Sequence, residues 1–145
     1  SIRNQLPAFD QGFAALIRNV AELATPTGQW PEAIHPLTLG GCMGDGQHGW
    51  AAAGWIMMLR NCFVREETDH LVIGSGILPE WLDGSAIGFG PTFTAWGPVS
   101  VRIEKSHLQL ESAWRGVEPR IRIAVPGFLP FDAEPGQHSF PLQKP

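Results

Sequence analysis

Apolar residues at Phe9, Phe13, Leu16, Ile17, Val20 and Leu23 recur at helical spacing, with Gln11, Arg18, Asn19 and Glu22 on the other faces. Pro7 precedes this run and Pro26 stops it, so the spacing predicts a helix from about Phe9 to Ala24. A loop follows from Thr25 to about Gln47. Loops of roughly 20 residues without secondary structure of their own are uncommon in compact domains and are often functional. A second helix, "HGWAAAGWIMMLRNC", is predicted from His48 to Cys62. Trp50, Gly54, Trp55, Met58 and Cys62 mark one of its faces, Ala52, Ala53, Ile56 and Met57 fill the opposite one, and no charge occurs before Arg60. A helix that is apolar all round is expected to be buried all round. One partner helix and a modest sheet can hardly surround it, so the pattern implies self-association or a larger body.

Beyond "FVREETDHLVIGSG" the period changes to two. Val99, Val101 and Ile103 alternate with Ser100, Arg102 and Glu104; Leu108 and Leu110 alternate with Gln109 and Glu111; Ile121, Ile123 and Val125 alternate with Arg122 and Ala124. With turn signals at Lys105-Ser106 and Arg115-Gly116, these runs predict an antiparallel meander with one wet face. Shorter strands are expected at His70–Ile73 and around Ile87–Thr94. Pro126 ends the regular part, and the Pro-rich tail to Pro145 is expected to be extended or frayed. Helices followed by strands mean segregated layers or a junction of two domains, which falls near Phe63. The expected fold class is α+β, with helices and loop over 1–62 and an antiparallel β region over 63–145.

Composition narrows the partners. The chain has 145 residues, the length of one ordinary domain, and a formal net charge of −4. Its basic residues are scattered and form no stripe interleaved with stacking aromatics, which disfavours nucleic acid and anionic membranes as partners. No charged-plus-apolar leader is visible, and no apolar run reaches the roughly 18 residues of a membrane span. Cys42 and Cys62 form no CxxC pattern and do not fix the compartment.

Two readings compete for the long loop. Gly44-Asp45-Gly46-Gln47-His48-Gly49 matches GxGxxG, but that pattern binds dinucleotides only between a parallel strand and a helix of a βαβ unit. The preceding "WPEAIHPLTLGGC" is broken by prolines, so the glycines are better read as a turn that starts the helix, with Asp45 available as a cap. Trp30-Pro31-Glu32 sets an acid beside a flat ring, which suits sugar chemistry: rings stack on pyranose faces, and a positioned carboxylate can activate water at the anomeric carbon. A loop glutamate bonded to backbone is the bland alternative, since a single carboxylate is not a catalytic pair.

The order "GQWPEAIHP", "GCMGDGQHGWAAAGWIMMLRNCFVREE", "LVIGSGILPEWL" and then strands resembles the C-terminal end of the six-hairpin glycoside hydrolases, the (α/α)6-toroid group that includes α-L-rhamnosidase-like and glucoamylase-like enzymes. The resemblance covers about Phe9 to Val125 and lies in the order and spacing of the parts. It implies the last helical hairpin of a toroid, followed by a β-sandwich. It implies that Glu32 acts as the general base of an inverting reaction and that Trp30 walls a sugar subsite. Asp45 and His48 would lie at the mouth of the last inner helix, binding hydroxyls or holding the loop, and Trp50 and Trp55 would be core positions of that helix. In rhamnosidase-like members Glu follows Trp directly, whereas here Pro31 intervenes. The general acid of such enzymes belongs to an earlier hairpin, so the resemblance implies a fragment that is inactive alone. The implied partners are a carbohydrate and either the remainder of the toroid or further copies that bury the second helix.

Other residues weigh less. His35 is a candidate for orienting Glu32 or binding a hydroxyl, though loop histidines are commonly satisfied by backbone. A zinc site from His35, Cys42 and His48 does not fit the usual ligand spacings, and no metal or cofactor is expected. Glu66, Glu67 and Asp69 are expected to be a solvated turn. Trp81 is expected to pack at the connection to the β region. The principal alternative function is a non-catalytic carbohydrate-binding or interaction module that presents Phe93, Trp96 and Trp114 on its meander. A third is a homodimer through the second helix.

Overall fold

The computed structural model describes residues 7–44 and 46–145, with side chains from residue 12 onward. The chain is mixed α+β and divides into two compact units, Ser1–Leu59 and Arg60–Pro145. The division falls inside a helix, a few residues before the junction expected near Phe63.

In the first unit, helix α1 spans Pro7–Glu22. It stops short of Pro26 because the chain turns at once: Thr25 N donates to Gln29 O at 2.7 Å and Gly28 N to Thr25 O at 2.9 Å. Of the periodic apolar positions, Phe13, Ile17 and Val20 are at least partly covered, whereas Leu16 is exposed. The Phe9 side chain lies outside the described residues. The segment expected to be an unstructured loop contains a small antiparallel hairpin, β1 (Ala33–Ile34) paired with β2 (Gly41–Met43). Helix α2 then spans Gly49–Phe63.

The expectation of all-round burial fails for α2 within this chain. Trp50 is 61% exposed, Ile56 55% and Met57 50%, and Ala52, Ala53 and Gly54 are exposed as well. Its buried residues are confined to the last turn, Arg60, Cys62 and Phe63. Among the described residues of the first unit, Ile17 is the one large apolar side chain that is fully buried. Covering a side chain the size of Ile or Met is worth about 1.5–3 kcal/mol, so the bare face is a standing drive for association.

The second unit holds the well-packed core. Strand β3 (Val64–Glu66) follows α2 directly and pairs antiparallel with β4 (His70–Ile73). A 3₁₀ turn, Pro79–Leu82, carries Trp81 onto Phe63, with the rings stacked at 6.4 Å. The meander is β5 (Ile87–Thr94), β6 (Gly97–Glu104) and β7 (His107–Ser112), paired antiparallel in sequence order. The period-two pattern places Val99, Val101, Ile103, Leu108 and Leu110 in the core with exposures of 2% or less. At the β5–β6 edge the backbones approach closely. A Cβ on Gly90 would lie 2.6 Å from Ser100 Cα, and Gly90 has φ +140°, so only glycine fits there.

Two expectations are corrected here. Strand β8 (Arg120–Ile123) does not extend the meander. It leaves that sheet and pairs parallel with β4, Leu71 opposite Ile121 and Ile73 opposite Ile123. The reason lies in "LVI": Leu71, Val72 and Ile73 are all buried, as for a strand covered on both faces, and such a strand sits between neighbours rather than at an edge. The tail is also not frayed. It forms β9 (Phe131–Asp132) on β8 and β10 (Ser139–Pro141) on β7. Phe140 has 0% exposure, its ring 6.1 Å from that of Phe131, and Leu142 is buried too. The two four-stranded sheets run β3-β4-β8-β9 and β10-β7-β6-β5.

The acidic run is a solvated turn at Asp69, which is exposed in the bend between β3 and β4, but not at Glu66. Glu66 lies on β3, where its carboxylate takes Arg60 Nη2 at 2.6 Å and Ala95 N at 2.6 Å. Arg60 is buried, and it also donates to Thr92 Oγ1 at 3.2 Å and Phe93 O at 2.9 Å. The pair thus fastens the end of α2 to the β5–β6 turn. Glu67 pairs with Arg65 at 2.9 Å. Asp69 is bonded by His70 and approached by Arg120, which holds its carboxyl below the usual range. Exposed pairs such as Arg120–Asp69, Arg122–Asp132 and Arg102–Glu104 contribute little. Burial pushes the Cys62 thiol up to about 12, whereas Cys42 is exposed.

Two outcomes are expected. Replacing Glu66 with Ala leaves the buried Arg60 charge without its carboxylate, and urea unfolding of the second unit should register a loss of about 2 kcal/mol; a change within a few tenths would mean that solvent satisfies Arg60. Sedimentation of the chain at rising concentration should show self-association that Ile56→Glu with Met57→Glu suppresses, and a strict monomer at every concentration would contradict it.

Candidate functional site

Trp30, Glu32 and His48 are brought together by the hairpin and the start of α2. The backbone fixes the arrangement first. Glu32 N donates to Met43 O at 3.0 Å, and His48 N donates to Trp30 O at 2.9 Å. His48 O accepts the first helical bond of α2, from Ala52 N at 3.1 Å, so His48 stands at the helix mouth.

Gly44 lies between the Glu32 and His48 side chains. Its φ is +75°, and a Cβ there would meet Glu32 N at 3.2 Å, Glu32 Cβ at 3.3 Å and His48 Nδ1 at 3.5 Å. One glycine of the GxGxxG match therefore has a local reason: it lets the acid and the imidazole approach. The strand before it, β2, is short, exposed and paired antiparallel with β1, which is not the parallel-strand context of a dinucleotide site.

Glu32 Oε2 is 4.0 Å from His48 Nδ1, beyond hydrogen-bond distance, with side-chain exposures of 39% and 28%. The Glu32 carboxylate takes no hydrogen bond among the described residues. Asp45, expected beside His48, lies outside them. Trp30, expected as a wall of the sugar subsite, is tied to both helices of its unit. Its Nε1 donates to Val20 O of α1 at 2.7 Å, and its ring meets Trp55 at 5.2 Å and 38°. Trp30 is half-buried and braces both helices against the loop.

The exposed aromatic at the site is Trp50, expected to be core. It lies edge-on to His48, with ring centroids 5.4 Å apart. Periodicity counted Trp50 with Trp55 on one helix face. The missed signal is its position in the first turn, directly after His48-Gly49, where a side chain lies beside the helix mouth. His35 is turned to its own loop, its Nδ1 accepting from Leu37 N and Thr38 N at 3.3 Å each. Among the described residues no three His, Cys, Asp or Glu side chains gather as a metal would need, and no helix is long and apolar enough to cross a membrane.

The aromatic set on the β region is less open than a binding platform requires. Phe93 is 69% exposed, with the Arg115 guanidinium 5.8 Å from its ring centroid. Trp96 and Trp114 are half-buried, and Trp114 Nε1 is buried without a partner among the described residues.

No family model, curated protein or solved structure matches this chain.

Gly44→Ala should strain the loop through both its φ and its Cβ, costing about 1 kcal/mol or more. The backbone amide shifts of Glu32 and His48 should move together while those of β6 stay fixed. If the Glu32 and His48 amides did not move, Gly44 would not be the spacer between them.

Proposed function

We propose that this chain contributes a sugar-binding cleft to an inverting glycoside hydrolase of the six-hairpin type, with Glu32 as the carboxylate that activates water. The observation that carries the reading is the Glu32 carboxylate, without a hydrogen bond among the described residues, held by its backbone bond to Met43 and set 4.0 Å from His48 at the mouth of α2. A glutamate serving only the loop would spend its oxygens on backbone or an arginine, as Glu66 does. Trp50 supplies an exposed ring beside His48 for a pyranose face, and Trp30 holds the loop. His48 serves as a hydroxyl ligand or keeps Glu32 oriented. Asp45 and His35 remain further hydroxyl-binding candidates of the same loop.

Inversion needs a second carboxyl roughly 6.5–9.5 Å away, across the scissile bond. In this reading that acid comes from another segment, and the bare face of α2 is where neighbouring helices of the toroid pack. The chain alone therefore binds sugar weakly and does not hydrolyse it. The alternative, a carbohydrate-binding module using Phe93, Trp96 and Trp114, has Phe93 as its freely exposed ring.

Amide and indole shifts of the labelled chain, titrated with L-rhamnose and D-glucose, separate the two. Changes at Trp30, Glu32, His48 and Trp50, weakened by Glu32→Gln, support the cleft. Changes confined to Phe93, Trp96 and Trp114 support the module. Turnover of an aryl glycoside by the purified chain, lost in Glu32→Gln, would overturn the need for a second segment.

A further inference from the structure

The docked tail creates a groove that the glycosidase reading does not use. It lies along residues 129–143, where Leu129 N donates to Gln143 O at 2.8 Å and links the stretch before β9 to the stretch after β10. Its volume is about 480 Å³, within the roughly 300–1,000 Å³ of small-molecule sites. The lining joins two kinds of surface. Leu129, Phe131 and Pro141 are apolar, and Leu129 is 48% exposed, so part of this surface is wet in the free chain. Asp132, Glu134, Gln137 and Gln143 are polar.

We propose that this groove is a binding site for a neutral saccharide of one or two units. The chemistry of the lining selects that class. A pyranose has apolar C–H faces and a rim of hydroxyls, each able to donate and accept. Phe131, half-buried against Phe140, offers an aromatic surface for the C–H face. Two carboxylates accept from hydroxyls, and the carboxamides of Gln137 and Gln143 both donate and accept.

The same lining rejects anions, since it contains two carboxylates and no Lys or Arg. Arg122, which reaches Asp132, spends its Nη1 on Asp132 Oδ1 at 3.2 Å. A phosphate or uronate would thus meet two carboxylates and no Lys or Arg among the lining residues. The groove is preformed by main-chain bonds: Ala133 N donates to Ile121 O at 2.8 Å and Gln137 N to Glu134 O at 3.1 Å. Gln137 is further held by its Nε2 donating to Ser139 O at 3.0 Å, leaving its Oε1 to accept. Fixed donors and acceptors lower the ordering cost of binding a flexible polyol.

The test uses the whole chain and three probes: cellobiose, maltose and glucuronate. Cellobiose or maltose should produce saturable amide shifts at Leu129, Phe131, Glu134, Gln137 and Gln143. Glucuronate at the same concentrations should produce none. Glu134→Ala, a change at an exposed position, should weaken the disaccharide by about fivefold or more. Gln143→Ala should do the same, while Glu104→Ala, outside the groove, should leave it unchanged.

The proposal is overturned if neither disaccharide gives saturable shifts in this stretch, if glucuronate binds as well, or if both groove variants bind normally. Shifts at Trp30, Glu32 and His48 without shifts at 129–143 would sustain the cleft while removing the groove. The converse pattern would sustain the groove alone.

Discussion

The constraint on which most of this structure depends is the apolar circumference of α2. From Gly49 to Leu59 the helix carries no charge, and in this chain Trp50, Ile56 and Met57 face solvent. Only its last turn is buried. A helix of this composition gains little from propensity alone and depends on packing for stability. At its C-terminal end that packing comes from the strands that follow. Over the rest of its length its large apolar side chains at Trp50, Ile56 and Met57 are left exposed. The first unit has a backbone-fixed loop and a tryptophan brace, and among its described residues Ile17 is the one large apolar side chain that is fully buried.

The second unit is organised by a polar contact that its apolar pattern would not suggest. Arg60 is buried at the end of α2, and a buried guanidinium must be both paired and hydrogen-bonded. Glu66, Thr92 and Phe93 O meet that demand, and Glu66 passes the constraint on to Ala95 N. One ion pair therefore sets where the helix ends, where β3 begins and how the β5–β6 turn is held. Such a pair contributes more to specifying one arrangement than to net stability, because desolvating the charges offsets much of their attraction. The apolar layers then follow the strand pattern, and Phe140 seals the core from the tail.

Much of this was legible in the sequence because it is local. Both helices and the β5–β7 meander follow from period and punctuation, and their observed bounds differ from the reading by only a few residues. What was not legible depends on partners distant in sequence. Nothing in "RIRI" distinguishes a fourth meander strand from one that crosses over to pair parallel with "HLVI". The continuous burial of Leu71, Val72 and Ile73 was the available hint, since a strand covered on both faces belongs inside a sheet. Glu66 read as solvated because its arginine precedes it across a helix end. At the candidate site, Trp30, Glu32 and His48 were legible as a set, and Trp50 was missed because helical periodicity describes faces and says little about helix mouths. Trp30 proved to be a brace because its indole N–H finds Val20 O, a contact that no local pattern reveals.

Glu66 and Glu32 show how environment separates a carboxylate engaged in packing from one left open. Glu66 is engaged through both oxygens at 2.6 Å, and any proton or hydroxyl reaching it would have to displace a buried arginine or a backbone amide. Glu32 is held through its backbone N–H on Met43 O, yet its carboxylate takes no hydrogen bond among the described residues, and the His48 imidazole stands 4.0 Å away. Rigid placement with free lone pairs is what positioning a water or a sugar hydroxyl requires, because the cost of fixing the group has been met by folding rather than by binding. Gly44 is part of the same design: a side chain there would fill the gap between acid and imidazole. In the glycine-rich motif, Gly44 leaves room between a carboxylate and an imidazole, and the short antiparallel β2 before it is not the parallel strand of a phosphate-cradling loop.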